Sequence, residues 1–366
     1  MLQNKKFTVL HLIAALGNGG AERQIIELLK INRNHILCIF TNAGIYKKTL
    51  DSYGIKYYEL NVKKPILIVF KLFSIAQILK KSNAHIMHSW MYNACLISSI
   101  IKILFKINIP LIWGIRCSNM EVKYYPMHLS LIIKICRYFS KKCSLIVYNS
   151  MAGKKYHKKI GFLNSNSKVV YNAVDYKRFK YSISIRKKLR SIYKFHKNDL
   201  VFLCVGRKDP MKNHSSLITA FKNIKKKYKN FKLVLIGKDT ETIKMNKGIL
   251  ALGVQLNIEE YYSMGDVIIS VSSFGEGFSN VLVEGMATKL FPVATDVGDA
   301  KFIIDKTGLI IDTPCIMSIQ KSLIQIASME RNFIKKKSEK AARRVVEKFN
   351  LNIMRKKYNQ IYRDII

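Results

Sequence analysis

The chain has 366 residues, which is more than one typical core holds, so we expect two domains. Hydrophobic residues make up 49% of it, which suits full globular packing and excludes a largely disordered chain. The formal net charge of +40 at pH 7 is compatible with nucleic acid, an anionic membrane face or anionic substrates. A solvated lysine-rich surface without a dedicated partner explains the charge equally well, because Lys, Ile and Asn are abundant throughout the chain.

The cysteines and the apolar runs indicate in which cellular compartment the protein is expected. The 7 cysteines are scattered without a CxxC pair or a metal-like spacing to histidine, and residues 1–6 show no signal-peptide pattern. We therefore expect reduced thiols in a cytoplasmic protein. The runs 65–79 and 94–105 are interrupted by Lys71 and Lys102, and both are shorter than the ~18 to 20 residues of a membrane-spanning helix. The sequence has no zinc-finger, helix-turn-helix or RNP-like pattern, so we expect no nucleic-acid partner.

The first half of the chain alternates apolar runs with helical patterns. Residues 8–16 form a continuous apolar run, which is typical of a parallel strand buried on both faces. A glycine-rich turn, Gly17-Asn18-Gly19-Gly20, follows it and precedes a helix over 21–30. Such a turn faces phosphate in many α/β proteins, but here it lacks the full dinucleotide pattern. Further strands are predicted over 35–40, 55–60, 85–88, 111–115, 144–148 and 168–171.

This alternation predicts a doubly wound parallel sheet, in which ligands bind beyond the carboxyl ends of the strands. Two side chains expected at those ends are candidate contacts. Arg116 follows the strand over 111–115, where a guanidinium can pair with a phosphate or another substrate anion. His88 ends the strand before it, and it is either a contact to sugar or acceptor or a packing residue at a strand end.

Residues 124–142 have a composition suited to an anionic lipid surface. Apolar residues recur at helical spacing, aromatic residues stand at both ends, and four basic residues lie toward the opposite side. An ordinary amphipathic helix that packs on the sheet gives the same pattern. The basic residues are Lys134, Arg137, Lys141 and Lys142.

The second half repeats the alternation of strands and helices. A buried strand over 200–206 ends in a short loop that carries Arg207 and Lys212, and a helix over 213–227 follows. Two cations that leave the same strand end can hold two phosphate groups together. Further strands over 231–237, 266–271 and 291–295 predict a second doubly wound domain.

The stretch 266–287 has the clearest chemical pattern. It predicts a buried strand, a turn with Gly275 and Gly277, and a helix that begins near Ser279. The turn leaves backbone N–H groups free for a phosphate, and its glycines let the main chain approach a ligand closely. Glu276 lies in the turn and Glu284 in the helix, so two carboxylates, which bond vicinal hydroxyls well, flank the cradle. The pattern suggests a sugar nucleotide, although an ordinary strand–turn–helix with two glutamates also has this spacing.

In this order and spacing, the motifs resemble retaining glycosyltransferases of the GT-B fold, in the large bacterial group 1 (family 4). The resemblance covers nearly the whole chain. It implies an α/β protein with two Rossmann-like doubly wound domains facing across a cleft: residues 1–172 for the acceptor, 173–349 for the nucleotide-sugar donor, and a helix over 350–366 that crosses back to the first domain. The stretches that carry it are 17–23, 172–175 with Phe179, 205–213, 276–284 and 294–298.

The resemblance also implies roles for single residues. Arg207 and Lys212 are expected to hold the donor diphosphate and to neutralise the leaving group, so neither a metal nor another cofactor is expected. Glu276 is expected to bond the transferred sugar and Glu284 the ribose. Gly19 and Gly20 are expected to face the cleft from the first domain. The turn before the helix at Ser279, which we call the donor turn, is expected to bind the donor phosphates through the backbone of Gly277, Phe278, Ser279 and Asn280.

One position departs from the family pattern. Many relatives have a histidine after the strand that ends here at Ile115, whereas this chain has Arg116. We therefore assign no catalytic histidine. Arg116 is the predicted substitute contact, and His88 is the second choice.

The implied activity is retaining transfer of a sugar from a nucleotide sugar, with UDP as the expected nucleotide. The expected acceptor is a lipid-linked glycan or an oligosaccharide in surface glycan synthesis, such as O-antigen (lipopolysaccharide) or capsule. We expect a peripheral protein on the anionic inner face of the cytoplasmic membrane. A nucleotide-sugar 2-epimerase on the same fold, and a nucleic-acid- or membrane-binding protein that uses charge alone, remain alternatives.

Overall fold

The computed structural model describes residues 7–17, 19–30, 34–163, 165–244 and 247–366, so residues 1–6 and Asn18 lie outside the description. The chain divides into two units. Unit 1 holds the residues up to Tyr171 together with Met354–Ile366, and unit 2 holds Asn172–Ile353. Within the described residues, each unit is built on one parallel sheet, with seven strands in unit 1 and six in unit 2.

The sheet of unit 1 has the strand order β3-β2-β1-β4-β5-β6-β7. Five of these strands are buried at every position, because helices cover both faces, and this explains their continuous apolar runs. The strands are β1 (Val9–Ile13), β2 (His35–Ile39), β3 (Lys56–Glu59), β4 (Ile86–Trp90), β5 (Leu111–Ile115), β6 (Leu145–Tyr148) and β7 (Ser167–Val169).

The helices of unit 1 lie between successive strands along the chain, as expected for a doubly wound sheet. Short 3₁₀ turns precede or follow several of them, at Gly44–Tyr46, Pro65–Lys71, Val122–Tyr124 and Ser140–Lys142. The helices are α1 (Gly20–Leu29), α2 (Lys47–Ser52), α3 (Leu72–Lys81), α4 (Met91–Leu104), α5 (Met127–Phe139) and α6 (Met151–Lys159).

The sheet of unit 2 has the strand order β10-β9-β8-β11-β12-β13. Its core lies between this sheet and its helices and is built on Phe202, Phe221, Phe231 and Phe291. Its helices are α7 (Ile183–Ile192), α8 (His214–Lys225), α9 (Ile258–Tyr262), α10 (Asn280–Ala287), α11 (Ala300–Ile304), α12 (Ile316–Ala327) and α13 (Arg331–Lys348). Its strands are β8 (Leu200–Val205), β9 (Phe231–Ile236), β10 (Ile249–Ala251), β11 (Val267–Ser270), β12 (Phe291–Thr295) and β13 (Leu309–Ile311).

The last helix, α14 (Leu351–Ile365), begins in unit 2 and belongs to unit 1 from Met354 onward. Its apolar face in unit 1 contains Tyr358 and Tyr362, both completely buried. Repeated burial at this four-residue spacing is what an amphipathic helix presents to a core. Among the helices of the described residues, none combines the length and apolarity that crossing a membrane requires.

The prediction of two doubly wound parallel sheets is confirmed. One predicted strand end is wrong in a way that matters for the site. The strand over 85–88 continues to Trp90, because His88 and Ser89 pair with neighbours on both sides, so His88 lies inside β4 rather than at its end.

Candidate active site

The candidate site of unit 2 lies where the strand order of the sheet reverses. Strands β8 and β11 are neighbours there, although β9 and β10 lie between them in the sequence. In open α/β sheets this switch point opens a crevice beyond the carboxyl ends of the two strands. The loop after β8 carries Arg207 and Lys212, and the loop after β11 carries Glu276. The backbone joins the two loops, because Ser273 N–H donates to the Met211 carbonyl at 2.8 Å.

Lys212 and Glu276, predicted from separate motifs, meet in this crevice. Lys212 Nζ lies 2.6 Å from Glu276 Oε2, and both side chains are mostly buried. Ser272 Oγ donates to the same carboxylate oxygen at 3.2 Å. The stem of Lys212 runs over Gly206, where an added Cβ would lie 3.3 Å from Lys212 Cδ and Cε. A glycine at this strand end therefore gives the lysine its path to the crevice.

Arg207 leaves the same loop but has a different partner. Its Nε donates to Asp209 Oδ2 at 2.8 Å, and about half of the Arg207 side chain is exposed. Asp209 Oδ1 accepts the Met211 N–H at 2.9 Å and so caps the short 3₁₀ turn Pro210–Lys212. One carboxylate thus orients the guanidinium and fixes the backbone that carries Lys212. Asp209 was not predicted as part of the site, although Asp before Pro is a recognised turn signal.

Glu284 lies on α10 and is almost completely buried. The hydroxyl of Tyr262, at the end of α9, donates to Glu284 Oε2 at 2.7 Å. The ring of Tyr262 packs edge-on against Phe179 with the ring centroids 5.7 Å apart. Phe179 therefore supports the tyrosine that holds Glu284, which gives a physical reason for its place among the motifs. Tyr262 was not predicted, because no local pattern links it to a helix twenty-two residues away.

The side chains of the donor turn mostly stabilise the conformation of the turn and its packing within unit 2. Phe278 is buried and packs edge-on against Phe349, with the ring centroids 5.3 Å apart. Asn280 Oδ1 accepts a hydrogen bond from Asn172 Nδ2 at 2.6 Å, which links the turn to the start of unit 2. Gly298 adopts φ +66° and lies against the carbonyls of Glu276 and Gly277, where a side chain would collide. Because these side chains are engaged in packing, the backbone N–H groups of the turn are the main candidates for the predicted phosphate cradle.

Ser279 stands at the N-cap position of α10, but its side chain does not cap the helix. Within the described part of the chain, its buried Oγ has no hydrogen-bond partner. Such an unsatisfied hydroxyl costs free energy in a folded protein and usually marks a missing ligand, ion or water. It lies at the predicted phosphate cradle, at the positive end of a helix.

The glycine turn of unit 1 is only partly described, because Asn18 lies outside the described residues. Gly19 is the N-cap residue of α1, and Glu22 lies in the first turn of that helix. The carboxylate of Glu22 covers Gly19 so closely that an added Cβ would collide with it. An anionic group of the chain itself therefore sits at this helix N-terminus, where Gly19 and Gly20 are predicted to face the ligand.

His88 is completely buried in unit 1, and its ring stacks on Trp90 with the centroids 4.8 Å apart. His88 Nδ1 lies 2.8 Å from the Tyr362 hydroxyl. Burial, followed by the nearby charge of Arg116, lowers the pKa of His88 well below its usual value. Because β4 runs on to Trp90, the interpretation of His88 as a packing residue agrees with these contacts, and a direct sugar contact has no exposed atom to use.

Arg116 also packs inside unit 1, with 8% of its surface exposed. One of its NH groups donates to the Tyr358 hydroxyl at 2.9 Å, and its guanidinium lies 5.2 Å from the centre of the Trp90 ring. Arg116 and His88 are thus brought together, but around the tyrosines of α14. No local pattern predicts this arrangement, because the partners of Arg116 and His88 lie 242 and 274 residues further along the chain.

Two family models match this chain. The model of the glycosyl transferases group 1 matches residues 185–345, and that of glycosyltransferase family 4 matches residues 18–178. Each match falls on one of the two sheets, and the first includes both loops of the candidate site. The chain belongs to the group 1 glycosyltransferases. Its two Rossmann-like domains are those of the GT-B fold, as the sequence predicted.

Relatives of this group 1 glycosyltransferase include a glycosyltransferase of Methanocaldococcus jannaschii, 25% identical over 68% of this chain and 66% of the relative. A Campylobacter jejuni protein, named as an N-acetylgalactosamine-N,N'-diacetylbacillosaminyl-diphospho-undecaprenol 4-alpha-N-acetylgalactosaminyltransferase, is 26% identical over 78% of this chain and 79% of its own. The matched part of the M. jannaschii relative is just under two thirds of its length.

Solved structures resemble the fold closely. Anabaena HepE in complex with UDP and glucose superposes with a TM-score of 0.85 at 17% identity, over 98% of this chain and 100% of that one. A glycosyltransferase from Rickettsia africae gives a TM-score of 0.80 at 24% identity, over 99% of each chain. At these identities the likeness concerns the fold.

Proposed function

We propose that this glycosyltransferase moves a sugar from a nucleotide-sugar donor, a UDP-sugar, to a lipid-linked or oligosaccharide acceptor in surface glycan synthesis. The observation that carries the proposal is the Lys212–Glu276 pair at the switch point of unit 2. A cation for phosphate and a carboxylate for sugar hydroxyls stand there side by side, next to the N-terminus of α10. The complexes of HepE with UDP and with UDP-glucose support the donor class, and the name of the C. jejuni relative supports a diphospho-undecaprenol-linked acceptor.

In the proposed reaction, the donor diphosphate attracts Lys212 and the exposed guanidinium of Arg207. Glu276, released from the lysine, accepts hydrogen bonds from the hydroxyls of the transferred sugar, and Glu284 does so from the ribose. The bond between the anomeric carbon and the phosphate oxygen breaks, and a new bond to the acceptor oxygen forms on the same face. The acceptor proton passes to the departing phosphate. Because the acceptor attacks the face that the phosphate leaves, the anomeric configuration is retained without an enzyme nucleophile.

Charge stabilisation by the protein takes the place of a metal in this proposal. Negative charge grows on the nucleoside diphosphate as the glycosidic bond breaks, and two fixed cations next to it lower the energy of that state. The buried Ser279 hydroxyl and the N–H groups of the α10 turn add donors on the same side. The proposed reaction therefore needs no divalent ion, and we expect activity to survive a chelator.

We further propose that the protein works as a peripheral protein at the cytoplasmic face of the membrane, where the lipid-linked acceptor is embedded. The outward face of α5 supports this part of the proposal. Met127, Leu131 and Tyr138 are exposed there, and exposed Lys134 lies between them. Exposed apolar side chains with a lysine among them suit the boundary between headgroups and acyl chains of an anionic membrane.

The test uses purified protein, a panel of radiolabelled nucleotide sugars and a lipid extract that contains polyprenyl-diphosphate-linked glycans. We expect one UDP-sugar to raise the melting temperature and to label the lipid fraction, with and without EDTA, and the product to have the anomeric configuration of the donor. Failure of every donor in both assays would contradict the proposal. Epimerised nucleotide sugar formed without any acceptor would support the 2-epimerase instead.

A further inference from the structure

Two neighbouring segments of unit 1 expose large apolar side chains on one surface. The 3₁₀ helix Pro65–Lys71 and the start of α3 contribute one part, in which Phe70 is 79% exposed and Phe73 is 63% exposed. The end of α4 contributes the other part, and the rings of Phe73 and Phe105 join the two, with centroids 6.2 Å apart. We call this surface the apolar ridge; it consists of Ile66, Leu67, Val69, Phe70, Phe73, Ile103, Leu104 and Phe105.

A small cavity with a cationic lining opens beside the ridge. Its volume is about 270 Å³, and Ile103 of the ridge forms part of its wall. Three lysines line it: Lys102, Lys106 and Lys142. Lys102 Nζ donates to the carbonyls of Ile107 and Ile109, at 2.9 and 2.6 Å, and so fixes the loop that forms the cavity. We call this cavity the lysine pocket.

The charge around both features is of one sign. Glu121 is the sole Asp or Glu between Leu60 and Val174, although the chain has 23 acidic residues in all. A general excess of lysine would add positive charge evenly, but it would not remove the acids from this segment. Lys63, Lys64 and Lys71, all exposed, flank the ridge itself. The segment is therefore cationic by loss of acids as well as by gain of lysines.

The lysine pocket lies at a different edge of the sheet from the predicted ligand contacts of unit 1. Its lining includes Leu111, the first residue of β5, and Lys102 near the end of α4. These residues lie at the amino ends of the parallel strands, whereas the turn with Gly19 and Gly20 follows the carboxyl end of β1. The pocket is also smaller than the ~300 Å³ at which sites for drug-sized ligands begin. It suits a single phosphate group better than a whole sugar nucleotide.

We propose that the apolar ridge and the lysine pocket form a docking surface for an anionic phospholipid bilayer. The ridge enters the boundary between headgroups and acyl chains, and the pocket binds the phosphate of one lipid headgroup. Charge complementarity favours this occupant, because exposed apolar side chains flanked by lysines without acids match an anionic membrane surface. The inference rests on the proposed function to the extent that the acceptor is embedded in the same bilayer. The docking surface would be a second membrane contact, in addition to the exposed face of α5.

The test is sedimentation of the full-length protein with vesicles of phosphatidylcholine alone and of phosphatidylcholine mixed with phosphatidylglycerol. One variant removes the ridge rings (Phe70→Ser with Phe73→Ser), and another reverses the pocket charge (Lys106→Glu with Lys142→Glu). All four side chains are exposed, so folding should survive. We expect the pocket variant to bind mixed vesicles roughly thirty-fold more weakly, because each lysine near an anionic surface contributes to attachment. The ridge variant should lose at least ten-fold through its apolar area.

Matched controls lie on exposed positions of unit 2. Lys187→Glu with Lys188→Glu makes the same charge change on α7, and Leu256→Ser with Met317→Ser removes equally exposed apolar side chains. We expect these variants to bind mixed vesicles as the wild type does. Equal loss in the controls would mean that net charge or general hydrophobicity is responsible, and it would overturn the proposal. The proposal would also be overturned if the wild-type protein bound vesicles with and without phosphatidylglycerol equally well.

Two further measurements separate the remaining explanations. Inorganic phosphate at the concentration of lipid phosphate, with ionic strength held constant, should not release the protein; release would show a free-anion site. Stabilisation by UDP should be unchanged in the ridge and pocket variants. If no nucleotide stabilises the wild type while vesicle binding behaves as expected, the proposed function fails and the docking surface stands.

Discussion

At the residue scale, the charged groups of the proposed donor site have partners within the chain itself. Glu276 binds Lys212, Asp209 binds Arg207, and Tyr262 binds Glu284. An ion pair that is mostly buried resists separation unless a better partner arrives, because each charge would otherwise lose its compensation. A diphosphate is such a partner for the lysine, and sugar hydroxyls are such partners for the glutamate. The resting contacts thus indicate which two groups must exchange partners when the donor binds.

This exchange predicts opposite effects of two substitutions on nucleotide binding. Glu276→Gln keeps the size of the side chain but frees Lys212 from its ion pair, so UDP should bind as tightly as in the wild type or more tightly. Turnover should still fall by about 10², because the bonds to the transferred sugar are weakened in the transition state. Lys212→Ala should weaken UDP binding about ten-fold and also lower turnover by about 10² or more. Calorimetric titration with UDP and steady-state rates measure both quantities.

Lys208→Ala is the matched control, since Lys208 lies on the same loop but is exposed and donates to Thr242 Oγ1 instead. It should change UDP binding and turnover by less than three-fold, in line with a surface charge. Parallel losses of UDP affinity in Glu276→Gln and Lys212→Ala would contradict the exchange of partners. Near wild-type turnover in both would mean that the site is misplaced.

At the scale of elements, the packing of α14 creates a buried histidine cluster in unit 1. Trp90 Nε1 donates to His11 Nδ1 at 3.0 Å, so the proton of neutral His11 is on Nε2, which faces His35 Nδ1 at 3.0 Å. Tyr362 closes the cluster through its contact with His88. Burial lowers the pKa of His35 to about 3 and those of His11 and His88 well below their usual values. The folded unit therefore holds all three rings neutral.

A pH dependence of stability follows from these lowered pKa values. The unfolded chain binds protons at its histidines below about pH 6.5, whereas folded His35 does not until about pH 3, so unfolding takes up protons in this window. The stabilising contribution is complete above pH 6.5 and is lost as the pH falls toward 3, at about 1.4 kcal/mol per pH unit for each histidine. Urea unfolding of the protein between pH 7.5 and about 4.5 should show the free energy of unfolding falling steeply below about 6.5.

His128→Gln, at an exposed histidine outside the cluster, is the matched control for the substitution of His35. His35→Gln should lower stability at neutral pH and reduce the slope of the profile below pH 6.5, because one proton-linked ring is removed. A profile that is flat between pH 4.5 and 7 in the wild type would contradict neutral burial of the cluster.

Most elements could be predicted from the sequence, because strands buried on both faces read as apolar runs and leave a local signal. The short strands β10 and β13 were not predicted, since three residues with little apolar contrast give no periodicity. The end of β4 was misplaced because His88 and Ser89 are polar, and polar residues at a strand end look like a loop. The buried partner of His88 is Tyr362, which is remote in sequence, so no local pattern reports the burial.

At the scale of the whole molecule, the two units carry different chemistry. Unit 2 contains the proposed donor site with its ion pairs, and unit 1 contains the histidine cluster, the apolar ridge and the lysine pocket. Each unit has its own sheet and its own core. A chain built in this way often departs from two-state unfolding, because each core can melt separately. The two kinds of chemistry then give each unit its own response to solution conditions.

We therefore expect scanning calorimetry to resolve two transitions that respond to different variables. The proposed donor site lies in unit 2, so UDP should raise the transition of unit 2, by about 2.7 kcal/mol of stabilisation at a hundred-fold excess over the dissociation constant. Lowering the pH from 7 to 5 should lower mainly the transition of unit 1, because most of the buried histidines with lowered pKa values lie there, whereas in the described part of unit 2 this holds for His214 alone. Hydrogen exchange assigns each transition through the amides of β4 and β11, which lie in the centre of the two sheets. Equal shifts of both transitions with UDP would show that the units unfold together, and the separate responses would then not hold.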